Sequence, residues 1–72
     1  RYDEKHLINA WPEMMGKVVA DRTRKIYLKN HILIVEISSA PLRHQLETNK
    51  EKVIARIREK FGDKLVRNIL FT

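Results

Sequence analysis

The sequence predicts a two-layer α+β domain in the order helix(es), strand, strand, helix, strand, with the helices on one face of a three-stranded, largely antiparallel sheet. Three observations lead to it. Apolar residues recur at helical spacing over residues 7–19 and again over 42–61. Between these stretches, two strand-like runs flank Asn30–His31, and a short alternating run, Leu65–Phe71, closes the chain. A length of 72 residues allows one hydrophobic core, so residues 1–72 are expected to form a single domain.

The first helical face is built from Leu7, Ile8, Trp11, Met14, Met15, Val18 and Val19. Pro12 removes an N–H and pushes its predecessor out of the helical region, so the expectation is a kink or a new helix starting at Pro12, with Glu13 near its positive end. Gly16 falls inside the pattern, where glycine costs about 1 kcal/mol relative to alanine. It marks either the close approach of another backbone or a weak spot in a short helix.

Arg24–Lys29 and Ile32–Ser38 read as a hairpin around Asn30–His31. Asparagine tolerates positive φ, which suits a two-residue turn; His31 is a less usual second residue, and a longer turn is the alternative. The two-residue turn sets Lys29 opposite Ile32, Leu28 opposite Leu33, Tyr27 opposite Ile34, Ile26 opposite Val35 and Lys25 opposite Glu36. Ile26, Leu28, Leu33, Val35 and Ile37 then share one face, and Lys25 and Glu36 form an opposite-charge pair on the other.

Ser38–Ser39–Ala40–Pro41 starts the next helix, with Ser39 a better N-cap than Ala40 and Pro41 in the first turn. One long helix is expected, because Leu42, Leu46, Val53, Ile54, Ile57 and Phe61 lie within an arc of roughly 120°. Lys50 falls inside that arc and must run its stem along apolar surface to reach water. Gly62 ends the helix in the left-handed conformation. Leu65–Phe71 is the third strand, with Ile69 and Phe71 facing the core. Tyr27, Ile32, Ile34 and Leu70 are left on the far face of the sheet. A contiguous exposed apolar patch marks an interaction surface. Tyr27, Ile34 and Leu70 are therefore candidate partner-binding residues, meeting a partner or a second copy in a homodimer, unless flanking residues cover them.

Composition narrows the function. Fifteen Lys and Arg oppose nine Asp and Glu, giving +6 and a pI near 10.0. Such a surface attracts polyanions. Nucleic acid is the common partner, although an acidic protein tail or a membrane surface would feel the same pull, and solubility alone also accounts for a basic surface. With 43 % hydrophobic residues the chain is too apolar for a disordered segment. The lack of cysteine excludes disulfides and cysteine-based metal sites or nucleophiles, and fits a reducing, cytoplasmic location. No apolar run approaches the roughly 18–20 residues of a membrane span, no signal peptide is visible, and no membrane association is expected. The start at Arg1 suggests a piece of a longer protein.

No catalytic constellation emerges. His6, His31 and His44 lack metal-ligand spacing, and Ser38 and Ser39 lack a glycine-flanked elbow. Gly16 and Gly62 stand too far apart to cradle a phosphate. Glu47 and Glu51, beside Arg43 and Lys50, read as surface ion pairs. An enzyme, a metal and a cofactor are accordingly not expected. Binding remains: Lys17, Arg22, Arg24, Lys25 and Lys29 cluster with only Asp21 of opposite sign. Lys25 and Lys29 share a face with Tyr27, and a tyrosine between cations suits single-stranded nucleic acid, which needs a stacking surface and phosphate neutralisation. The bland alternative is an ordinary solvated face. The cations of the long helix, Arg43 to Lys60, are partly balanced by Glu47, Glu51 and Glu59.

Trp11-x-x-Met14-Met15-Gly16-x-x-Val19-Ala20, followed by Thr23, resembles the opening of the DciA-like proteins, a bacterial family. The run Leu28-x-x-x-x-Leu33-Ile34-Val35-Glu36-Ile37-Ser38-Ser39 resembles that family's hairpin, Leu42-x-x-x-Leu46 its next helix, and Phe61-Gly62 with Val66-x-x-Ile69-x-Phe71 its closing strand. The resemblance runs from Trp11 to Phe71. It implies a KH-like two-layer fold and a relation to loaders of the replicative helicase, which bind DNA. DNA is thus expected over RNA, with the helicase as a further partner. His31 stands in place of the family's turn glycine and Pro41 in place of a frequent aromatic residue. The long extra segment of the better-known loaders lies outside this sequence. The GxxG loop by which many KH domains grip RNA is absent, so KH-type binding is not implied.

Overall fold

The computed structural model describes residues 4–72. Its elements are α1 (Glu4–Met15), α2 (Lys17–Arg22), β1 (Thr23–Lys29), β2 (Ile32–Ile37), α3 (Ala40–Thr48), α4 (Lys50–Phe61) and β3 (Asn68–Phe71). The three strands form a mixed sheet in the order β1-β2-β3, and the helices pack on one face of it. The α+β class and the two layers are as the periodicities predict.

The hairpin has the predicted register throughout, from Lys29 opposite Ile32 to Lys25 opposite Glu36. Asn30 and His31 both take positive φ, 52° and 66°, which is the requirement of the tight turn whose twist matches its strands. β3 departs from expectation. It is shorter than Leu65–Phe71 and runs parallel to β2, with Ile34 beside Leu70 and Val35 beside Phe71. The helices between β2 and β3 carry the chain back along the sheet, so the next strand sets out in the same direction.

Both helical stretches are divided differently from the sequence pattern. Pro12 lies within α1 and is exposed, and it offers no N–H to the Ile8 carbonyl one turn earlier. The break comes at Gly16, with φ 89° and ψ 168°, a conformation open essentially to glycine alone. A Cβ there would meet nothing within 4 Å, so the glycine serves backbone geometry and not a close approach. The new helix has a new phase: Val19 is buried, but Val18 is 72 % exposed.

The single long helix expected after Pro41 is two helices joined at Asn49. Its backbone N–H and its side-chain Nδ2 both donate to the Gln45 carbonyl, at 3.1 and 3.0 Å, closing α3. Its own carbonyl accepts from Lys52 and Val53 and opens α4. Ser39 is the N-cap of α3, accepting from the Leu42 N–H at 3.4 Å. Gly62 ends α4 with positive φ, but its ψ of 176° is extended and not left-handed helical.

All four helices reach one buried cluster. Leu33, Val35, Ile37, Ile69 and Phe71 supply the sheet side, and Leu7, Trp11, Val19, Leu46 and Ile57 are among those facing it. Trp11 Nε1–H donates to Thr23 Oγ1 at 3.0 Å, and the Thr23 hydroxyl donates onward to the Val19 carbonyl at 2.8 Å. This relay ties α1, α2 and β1 together and satisfies the only polar atom of a buried indole.

Candidate nucleic-acid interface

β1 is an edge strand whose inner side chains, Ile26 and Leu28, pack against the core. Alternation places Lys25, Tyr27 and Lys29 on the outer face. Arg24 should by the same rule point inward. It does not, because the register shifts between Thr23 and Lys25. Thr23 pairs with Ile37 and Lys25 with Glu36, so Arg24 is the extra residue of a β-bulge. The bulge changes the parity of the strand: Thr23 turns inward to Trp11, and Arg24 joins Lys25 outside. Arg24 Nε accordingly lies 3.7 Å from Glu36 Oε2. The ion pair expected from Lys25 is therefore made by its neighbour.

The registers of both strand pairs lay the outer face out as rows. Tyr27, Ile34 and Leu70 form a central apolar row across the sheet. Lys29, Ile32 and Asn68 flank it on the turn side, while Arg24, Lys25 and Glu36 flank it on the other. Tyr27 is 42 % and Leu70 47 % exposed, with Ile34 half-buried between them. The cations of this face, Arg24, Lys25 and Lys29, thus all come from β1. Among the described residues, Lys25 and Lys29 make no ion pair; Glu36 lies on the face, and at the strand's open edge the Glu4 carboxylate accepts from the Leu28 N–H at 2.9 Å.

The other two predicted cations lie on α2. Arg22 is its last residue, next to the bulge, and its carbonyl accepts from the Ser38 N–H at 2.8 Å. Lys17 sits five residues earlier, hence about 7.5 Å along the axis and roughly 140° around it. It pairs with Asp21 at 3.5 Å. The structure therefore groups Arg24, Lys25, Tyr27 and Lys29, leaves Arg22 at their border, and separates Lys17. Sequence reasoning missed Asn68 beside Ile32, since only the parallel pairing brings it there. Nothing in residues 23–25 announced the bulge.

The histidines stay apart. His31 Nδ1 is 3.3 Å from the Leu65 carbonyl, a bond that needs the proton on Nδ1, while His6 and His44 lie on α1 and α3. Among the described residues no group of acids and histidines could hold a metal ion, and no helix is long and apolar enough to cross a membrane.

One comparison with known proteins is decisive: the model of the family described as Dna[CI] antecedent, DciA, matches residues 1–71. The chain belongs to the DciA family. No curated protein and no solved structure matches it. DciA proteins are the antecedent family of helicase loaders, which gives this chain a helicase-loader-related role in bacterial DNA replication. The family associates with the replicative helicase and is of loader or chaperone type, not known as enzymes. Trp11, Gly16 and Thr23, prominent in the resemblance to DciA proteins, act here in packing and chain direction: a buried indole, its hydroxyl partner, and the positive-φ break between α1 and α2.

Proposed function

We propose that this DciA-family chain is a non-enzymatic nucleic-acid-binding module, that residues 1–72 act as one unit, and that its ligand is single-stranded DNA in the cytoplasm. The observation that carries this is the placement of Tyr27 between Lys25 and Lys29 on the exposed face of an edge strand, with Arg24 added by the bulge. Four residues of strand set Lys25 and Lys29 roughly 13 Å apart, so their long side chains reach two separate phosphates. The Tyr27 ring between them takes the face of a base, and Ile34 and Leu70 extend the apolar floor. Arg22 adds charge at one end, and Lys17 contributes only to the long-range field. The replication context of the family supports DNA over RNA.

The test is anisotropy of a labelled single-stranded oligonucleotide across a salt series. Each phosphate contact adds about 0.7 to the log–log salt slope. Lys25→Glu combined with Lys29→Glu should lower the slope by about 1.4 and abolish tight binding. Unchanged affinity in a variant folded by circular dichroism would refute the surface.

A second reading rests on the apolar row itself, since Tyr27 and Leu70 are exposed side by side across Ile34. The face would then meet the helicase or a second copy, forming a homodimer. Ile34→Asp should abolish such contact, and an unaltered sedimentation profile, alone and with the helicase, counts against it.

A further inference from the structure

A concave surface lies on the opposite layer from the sheet face just described. It is a groove of about 470 Å³ between α2 and the α3–α4 pair. Met15, Leu42, Leu46 and Val53 line its floor, and Val18 stands at its rim. Val18 is 72 % exposed, the most exposed large apolar residue of the described chain. Neither the core nor the outer sheet face uses it. Met15 and Leu42 are only partly buried, so the floor itself is open to a ligand.

The charge around this floor has one sign. Among the described residues, Lys52 and Arg56 are the only ionisable ones lining the groove, and none of its lining residues is a carboxylate. Arg56 is held in place: its guanidinium donates to the Met14 carbonyl at 2.9 Å, at the end of α1. That bond uses one of its five N–H groups and leaves the others to receive an acid. Apolar floors flanked by helices take amphipathic helices, whose apolar face enters while the edges meet the rim. A methionine in the floor adapts to irregular partners. Gln45 and Asn49 also line the groove, and the Asn49 side-chain amide is already engaged with the Gln45 carbonyl at 3.0 Å.

We propose that the groove between α2 and the α3–α4 pair docks an acidic amphipathic segment of a partner protein. Its apolar side chains rest on Met15, Leu42 and Val53 and cover Val18, and its carboxylates meet Lys52 and Arg56. The site is separate from the β1 edge and stands whether or not that edge binds DNA.

The probe is a 14-residue capped peptide with leucines at helical spacing flanked by glutamates, titrated into the whole chain and followed by amide NMR shifts. Shifts should concentrate at Met15, Val18, Leu42 and Lys52. Val18→Asp should weaken binding at least tenfold without unfolding, because Val18 is exposed and an acid in the first turn of α2 suits the helix dipole. Lys52→Glu should do the same, and Lys25→Glu with Lys29→Glu should leave peptide affinity unchanged. The proposal is overturned if a peptide with lysine in place of glutamate binds equally well, if the shifts map to the outer sheet face, if Val18→Asp and Lys52→Glu bind as the parent does, or if a single-stranded oligonucleotide occupies the groove.

Discussion

The outer sheet face and the groove behind α2 are both apolar strips edged by cations, and they differ in shape and in the spacing of charge. On the sheet, Lys25 and Lys29 stand about 13 Å apart along one straight edge, with a tyrosine between them. In the groove, Lys52 and Arg56 are one helical turn apart, roughly 6 Å, beside a concave aliphatic floor without an aromatic ring. A flat face with an aromatic ring and spaced cations suits an extended polyanion, whose charges repeat and whose bases stack. A concave floor with closely set cations suits a compact segment with a few acids. The two surfaces share the sign of their charge and differ in its layout.

The largest expected effect tests what the two surfaces share. Both depend on the core around Trp11, and Trp11→Ala should cost about 3–5 kcal/mol, seen as loss of cooperative urea unfolding and of both binding activities. Retention of either activity in that variant would mean that its surface forms without the core. Next, Lys25→Glu with Lys29→Glu should weaken oligonucleotide binding by roughly a hundredfold, judged from two lost phosphate contacts and reversed potential. Losing peptide binding as well would break the separation between the surfaces.

Gly16→Ala should destabilise by about 1–3 kcal/mol, because the φ of 89° with extended ψ strains any side chain. Since Gly16 sets the direction of α2, this change should disturb the groove more than the sheet, as amide shifts at Val18 against Tyr27 will tell. Tyr27→Ala should weaken oligonucleotide binding about tenfold through lost stacking, with little change in salt slope. A fall in slope would instead assign Tyr27 to charge placement. Smallest, Glu36→Gln should raise oligonucleotide affinity about twofold by releasing Arg24, since an exposed ion pair is weak. A decrease would mean that Glu36 positions Arg24 productively.

The hairpin was legible because its information is local. Asn30–His31 sets the turn, the period of two sets the faces, and a slip of one residue would have exposed Leu33 and Val35. The break at Asn49 was not legible, since Leu46 and Val53 keep the same arc whether or not the helix is interrupted between them. Val18 was grouped with the core because helical phase was carried through Gly16, whereas a positive φ there restarts it. At the candidate interface, Lys25, Tyr27 and Lys29 followed from alternation. Arg24 reached their face through a bulge, and Lys17 and Arg22 were near neighbours in sequence that a short helix turns apart.

By itself, then, the sequence determined the order of elements, the α+β class, the hairpin register and the family, all written in patterns a few residues long and in their spacing. Only the tertiary structure decided that β3 runs parallel, that Arg24 faces outward and that Val18 stays in water. Those outcomes depend on which surfaces distant segments cover when they pack together, and no local pattern in the chain carries that information.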